Sequence, residues 1–390
     1  MKAFLKPLYL SLRGIFLRAA GSGLRHDADD APLHPGSVRK ILFVRLDRIG
    51  DVVLSTPAFR ALKKHFPGAE LTVLLRSSTR GLVEQNPYVD RILTVDNARE
   101  SIRVIRELRS DRFDLLIDPY DDWPLESALI AGLSGARVRI GYAVAGREAF
   151  FTTWLQPPLP GRHMTNVVMD SLKPLGISPV DAGPEVFLTK AELASAREWL
   201  DERTDGGLPV IGLHPGATFE TQRWPLEYFS ELGALLLRER QGRIIVLGGP
   251  ADRPLVAELV KRLGDSARSC ITADIRRFSA LLACCRLLVC NNSGPLHLGS
   301  ALGVQTVSFM GPTLRDRWYP RGERHAVLRI DDLPCIGCNA GFCRIGTQEC
   351  MRQIRPERVL EAIVDAGIEN PGHHWKGTGY EDNRHHSLPG

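Results

Sequence analysis

KILFVRLDRIGDVVLSTPAFRALKKH, residues 40–65, decides the fold. Ile41-Leu42-Phe43-Val44 is an apolar run bounded by the charges of Lys40 and Arg45, which predicts a short buried strand over 40–45. Leu46-Asp47-Arg48-Ile49-Gly50 then turns, and Asp51 opens a periodic helix through Val52, Leu54, Ala58, Phe59 and Leu62, expected over 51–65. A strand turning directly into a helix is the opening unit of an α/β sheet. Ligands of such sheets bind outside the carboxyl ends of the strands, and the Gly50-Asp51 pair falls at that edge. An aspartate there has two readings. It can cap free helix N–H groups, or it can take the proton of a substrate hydroxyl.

The same alternation continues outward from this unit. Strands are expected at 71–75, 91–95, 115–118 and 138–142, with helices at 98–108, 125–133 and 164–175. Pro157-Pro158-Leu159-Pro160-Gly161 interrupts the pattern as a loop near the cleft, and 178–184 begins a crossing. The alternation then restarts, with strands at 209–213, 243–247, 286–290 and 306–309 and helices at 226–238 and 254–263. A chain of 390 residues exceeds one ordinary domain. The reading is two α/β domains, 37–190 and 191–369, preceded by an arm and linker at 1–36 and followed by a tail at 370–390 expected to be disordered.

Composition narrows the classes of function. With 44% hydrophobic and 24% charged residues the chain can bury two cores. A net charge of +5 suits phosphates or acidic lipids without specifying nucleic acid. No zinc-finger spacing, RNA-binding aromatic signature or repeat is present, so no nucleic-acid partner is expected. No stretch reaches the roughly 18 apolar residues that span a bilayer. Lys2, Lys6, Arg13, Arg18 and Arg25 interleave with Phe4, Leu5, Leu8, Leu12, Ile15, Phe16 and Leu17, with no acid before Asp27. That pattern reads as an interfacial helix on an anionic membrane, or as a flexible arm.

Three further segments carry residues suited to a phosphorylated ligand. His214–Pro225 (HPGATFETQRWP) lies between a strand and a helix; Gly216 allows close backbone approach, Thr218 offers a hydroxyl and Arg223 a fork of donors. Asp252 follows the Leu247-Gly248-Gly249-Pro250 turn, where a carboxylate can bind ribose hydroxyls or cap the next helix. Asn291-Asn292-Ser293-Gly294-Pro295-Leu296-His297 joins a strand to a small-residue helix. There Asn292 and Ser293 can bond hydroxyls, the amides of Ser293 and Gly294 can cradle phosphate, and His297 lies on the first turns. Of the eight cysteines, Cys270, Cys284, Cys285 and Cys290 read as small core residues. Cys335, Cys338, Cys343 and Cys350 follow C-x2-C-x4-C-x6-C in a Gly-rich loop, which suits a structural zinc, reduced buried thiols or disulfides.

In order along the chain, 41–75, 214–225, 244–253 (IIVLGGPADR) and 291–313 (NNSGPLHLGSALGVQTVSFMGPT) resemble glycosyltransferase family 9, the bacterial heptosyltransferases of lipopolysaccharide inner core. The resemblance spans roughly 38–367. It implies the GT-B architecture, two Rossmann-like domains facing a cleft, with the acceptor on the N-terminal domain and the nucleotide sugar on the C-terminal one. The implied reaction is inverting, metal-independent transfer of a sugar from an ADP-linked donor to a lipid-linked saccharide. The implied place is the cytoplasmic face of the inner membrane. Asp51 would be the base. Gly50, Gly216, Thr218, Gln222, Arg223, Asp252, Asn292, Ser293, Gly294 and His297 would bind substrate, with His297 touching phosphate. Gln222 stands where the family has Lys, and Asn292 where many members have Asp. A nucleotide-sugar epimerase and a non-catalytic nucleotide-sugar binder at the membrane are the alternatives. The first predicts product without acceptor, the second donor binding without turnover.

Overall fold

The computed structural model describes residues 13–14, 16–17, 35–178, 183–201, 208–239, 242–322 and 324–365. Two six-stranded sheets organise them, each wholly parallel. The first holds β1 (Lys40–Arg45), β2 (Glu70–Leu75), β3 (Arg91–Thr94), β4 (Leu115–Asp118), β5 (Val138–Tyr142) and β6 (Thr153–Leu155), in the order β3-β2-β1-β4-β5-β6. The second holds β7 (Val210–His214), β8 (Arg243–Gly248), β9 (Ala267–Ile271), β10 (Leu287–Asn291), β11 (Gln305–Phe309) and β12 (His325–Leu328), ordered β12-β11-β10-β7-β8-β9. Each sheet therefore reverses direction once, between β1 and β4 and between β7 and β10. Those two points are where an open α/β sheet admits a ligand.

β1 shows why the central strands read as continuous apolar runs. Ile41 and Phe43 point into one core with Phe59 and Leu62, while Leu42 and Val44 point into another with Leu108 and Leu116. Both faces of a parallel sheet are covered by helices, so neither face tolerates polar residues. Phe43 meets Phe59 edge to face at 5.1 Å, and β1 pairs with β2 from Lys40 opposite Glu70 to Arg45 opposite Leu75.

The helix expected over 51–65 is two helices, Ile49–Val53 and Thr56–His65. Pro57 sits in the first turn of the second helix and has no N–H to continue the earlier ladder. Asp51 consequently lies in the first turn of a short helix whose N-cap is Arg48, and no side chain caps that end. Pro174 acts similarly: the helix expected over 164–175 ends at Asp170, and Lys173–Leu175 is a separate 3-10 turn. The short strands β6, β9 and β12 and the helices Lys190–Asp201 and Ile275–Ala283 have no counterpart in the sequence reading. Lys190–Asp201 packs on Ile275–Ala283 and meets the second sheet, where Arg243 donates to the Leu200 carbonyl.

The two sheets meet through their switch points. Ile49–Val53 packs against Gly294–Ala301. A Cβ on Gly50 would stand 2.8 Å from His297 Cδ2, and one on Gly294 2.8 Å from Ile49 Cβ. Polar ties cross the same seam: Arg317 to Asp121 at 2.8 Å, Arg276 to the Gly81 carbonyl at 2.9 Å, and His163 Nε2 to the Tyr319 carbonyl at 2.9 Å. Of the N-terminal arm, Leu17 is buried with Ala149 and Phe150, and Arg13 donates to the Trp123 carbonyl. The rest of the membrane-arm reading and the tail at 370–390 lie outside the described residues. No described helix is long and apolar enough to cross a membrane.

Candidate functional site

On the N-terminal side the site is built from the end of β1. Arg45 is 1% exposed. Its Nη2 stands 3.3 Å from Asp51 Oδ1 and its Nε 3.4 Å from the Asp47 carboxylate, with the guanidinium 4.9 Å from the Tyr120 ring centre. The Tyr120 hydroxyl accepts the Leu46 N–H at 2.6 Å, which pins the turn between β1 and the helix. Arg147, behind it, donates to the Tyr120 carbonyl at 2.6 Å and to both Asp118 oxygens at 2.7 Å. The Asp51 loop thus rests on a buried Asp118–Arg147–Tyr120 frame.

Asp51 is not a helix cap. Its carboxylate faces Arg45, and its side chain is 20% exposed. Burial pushes its pKa up to about 6, against the opposing pull of Arg45. A carboxyl poised there is a stronger base than a solvated one and still ionises near neutrality. If Asp51 is the base, kcat/KM should fall about tenfold per pH unit below about pH 6, because the reactive form is the deprotonated one. A pH–rate profile flat down to pH 5 would remove it from that role.

On the C-terminal side the site is built from the ends of β7 and β10. Asn291, fully buried, donates to the Pro215 and Gly216 carbonyls at 2.9 and 3.1 Å and accepts the Trp224 N–H at 2.8 Å. It holds both ends of the Pro215–Trp224 loop. Trp224 stacks on Phe309 at 4.4 Å and donates to the Ile354 carbonyl at 2.7 Å. The loop between these anchors carries Thr218, which is exposed.

Asp252 caps not the helix that follows it but the 3-10 turn Pro250–Asp252 before it. It occupies the N-cap position before Arg253–Leu263 with no capping bond. Its carboxylate turns back to accept the Gly249 N–H at 3.0 Å, and Oδ2 lies 3.5 Å from His214 Nε2. Burial pushes its carboxyl up, but the bond to His214, the Gly249 N–H and the nearby Arg223 outweigh burial and hold it below the usual range. Any Cβ at Gly216 would collide with this carboxylate, at 2.1 Å. Glycine at 216 therefore lets the loop lie against Asp252 without turning that carboxylate away.

Other expected ligands are placed differently. Gln222 turns to Thr313, at 3.3 Å. Arg223 spends Nε and Nη2 on the Ala217 carbonyl, at 3.2 and 3.1 Å. Asn292 is buried beside Ser293, whose hydroxyl donates to the Asn291 carbonyl at 3.3 Å. His297 is 3% exposed against Gly50, its Nδ1 has no hydrogen-bond partner there, and burial lowers its pKa to about 3. Its neutral ring fills the seam between domains.

Cys335, Cys338, Cys343 and Cys350 are free, and Cys350 lies near enough to the other three to feel their charges, but among the described residues no group of three or more His, Cys, Asp or Glu is placed to hold a metal ion. Backbone bonds organise this loop instead, Gly337 N–H to the Gly311 carbonyl and Asn339 N–H to the Pro312 carbonyl. It lies on the 219–222 segment, with the Thr221 hydroxyl donating to the Ala340 carbonyl at 2.8 Å and Gly341 against the Phe219 ring. Cys270, Cys285 and Cys290 are buried and Cys284 partly so, as core residues should be.

Arg45, Arg48, Tyr120, Arg147 and Asn291 were absent from the expected site. Arg45 reads from sequence as the charged end of a strand, and Tyr120 and Arg147 lie far along the chain from Asp51. Asn291 carried a signal, a polar residue closing an apolar strand, that its more suggestive neighbours obscured.

Comparison with known proteins bears on this arrangement. The family model described as glycosyltransferase family 9 (heptosyltransferase) matches residues 101–347. Lipooligosaccharide heptosyltransferase 2 of Haemophilus ducreyi is 25% identical over 351 residues, covering 83% of this chain and 98% of that protein. Among solved structures, a glycosyl transferase of family 9 from Veillonella parvula aligns with TM-score 0.74 at 22% identity, covering 89% of this chain and 100% of its own. E. coli ADP-heptose lps heptosyltransferase II aligns with TM-score 0.70 at 22% identity, covering 84% of this chain and 98% of its own. The folds agree, the paired switch points are those of the GT-B architecture, and the family match covers most of the chain: the protein belongs to glycosyltransferase family 9.

Proposed function

We propose that this glycosyltransferase moves a heptose, with inversion, from ADP-heptose to a lipid-linked saccharide of the lipopolysaccharide core. The observation that carries the reading is the position of Asp51, with its carboxyl raised to about 6, across the seam from the Thr218 and Ser293 segments. In the step, the acceptor hydroxyl oxygen bonds to the anomeric carbon from the face opposite the diphosphate, and its proton passes to Asp51. The bond from that carbon to the diphosphate oxygen breaks, its electron pair leaving with ADP. Thr218 and the amides around Ser293 and Gly294 would meet the growing negative charge. The sugar and the nucleotide are taken from the names of relatives, which include lipopolysaccharide heptosyltransferase 3 of E. coli and an E. coli heptosyltransferase solved with ADP-2-deoxy-2-fluoro heptose.

The direct test incubates the protein with ADP-heptose and a heptose-deficient lipooligosaccharide. ADP release matched by a one-heptose mass gain on the acceptor supports the proposal. Altered sugar without acceptor would favour an epimerase, and binding without turnover a nucleotide-sugar receptor.

A lipid-linked acceptor would bring the protein to a membrane surface, here proposed as the cytoplasmic face of the inner membrane, and the basic arm before Asp27 would suit that surface. Each of its basic residues near an anionic bilayer contributes roughly 1 kcal/mol, weakened by salt. Removing residues 1–26 should therefore release the protein from phosphatidylglycerol vesicles. Equal sedimentation of both forms would end the membrane-arm reading.

A further inference from the structure

We infer that Arg48, carried by the acceptor domain, reaches across the cleft to bind the donor diphosphate and stabilise it as it leaves. The inference rests on the nucleotide-diphosphate part of the function proposed above. It begins from a charge shortage on the donor side. Gln222 is neutral and bonded to Thr313, and two donor groups of Arg223 are engaged by the Ala217 carbonyl. His297 is buried and neutral. The Pro215–Trp224 loop thus presents a hydroxyl at Thr218 and a single cation, Arg223, two of whose donors are already engaged.

Arg48 supplies what is lacking. It is exposed, precedes the short helix holding Asp51, and donates from Nη1 to Thr218 Oγ1 at 3.0 Å across the domain seam. It is also close enough to Asp51 to lower that carboxyl's pKa. One guanidinium therefore stands between the candidate base and the candidate phosphate hydroxyl. An arginine with a single hydroxyl contact keeps most of its donors for an anion, and its planar fork matches two phosphate oxygens. Packing of Ile49 on Gly294 and of Gly50 on His297 fixes its distance from the donor loop.

The test compares wild type, Arg48→Ala, Arg48→Lys and Thr218→Val, all full length, by calorimetry with ADP and with adenosine, and by turnover of ADP-heptose. Arg48→Ala should weaken ADP about tenfold or more, the scale of a lost charge-assisted hydrogen bond, and leave adenosine unchanged. Turnover should fall on the order of 100-fold, as when one donor to a developing anion is removed. Arg48→Lys should recover part of both losses, and added guanidinium should partly rescue the alanine variant. Thr218→Val, which removes the cross-domain contact but keeps the charge, should lose less than Arg48→Ala. Unchanged ADP affinity in Arg48→Ala would overturn the inference. So would equal weakening of ADP and adenosine, which marks a structural role. If wild type binds ADP but transfers no heptose, the heptosyl reading fails while the ADP comparison still decides Arg48. Wild type that binds ADP no better than adenosine would overturn the diphosphate site and Arg48 with it.

Discussion

Asp51→Asn is expected to lower turnover on the order of 100-fold or more, the scale of a lost general base, while ADP affinity is retained. Asparagine is nearly isosteric and cannot take the acceptor proton. Folding should survive, because Asp51 caps no helix and Arg45 keeps the Asp47 carboxylate at 3.4 Å. The residual rate should also lose its dependence on pH near 6, where the Asp51 carboxyl titrates. Steady-state kinetics across pH 5–8, with ADP calorimetry beside it, checks both points. Near-normal turnover would leave the site without a base and would favour the receptor alternative.

Arg147→Leu should produce the largest loss of stability. The Arg147–Asp118 pair is completely buried, with Nη2 at 2.7 Å from both carboxylate oxygens. Removing one partner of a buried pair leaves an uncompensated charge and typically costs about 3–5 kcal/mol. Arg147 also binds the Tyr120 and Asp122 carbonyls, at 2.6 and 3.0 Å, so three further groups lose a donor when Ser127 at 3.2 Å is counted. Urea unfolding should show an earlier transition for the N-terminal domain. The double variant Asp118→Leu/Arg147→Leu should recover part of the loss, since two apolar residues leave no orphaned charge. Turnover should fall with the single variant even below its unfolding midpoint, because Tyr120 holds the Leu46 N–H that shapes the Asp51 loop. A midpoint within experimental error of wild type would show that water or a neighbouring group compensates Asp118.

Several features were legible in the residues alone. Central strands bury both faces, so their apolar runs mark β1, β4, β7 and β10 without reference to anything distant. The small residues at Gly50, Gly216 and Gly294 mark places where chain meets chain, and a Cβ at each would meet an atom within 3 Å. Three of the four edge strands were missed, being short and partly exposed: Thr153–Leu155 has no buried residue and Ala267–Ile271 has one, while β3, equally exposed, was legible at 91–95. The break after Val53 needed more weight on Pro57 than the apolar periodicity allowed.

The sequence by itself determined the alternation of strand and helix, the two parallel sheets and the candidate base at Asp51, since each depends on local pattern or on a residue at a strand end. Only the tertiary structure decided what those residues contact. Asp51 faces Arg45 instead of its own helix amides, Asp252 turns to His214 and Gly249, and His297 is buried against Gly50 between domains. Arg48 meets Thr218 from 170 positions away along the chain. Electrostatics and desolvation act through space, and the pairing of two switch points across a seam sets which charges share that space. No local window of residues contains that information.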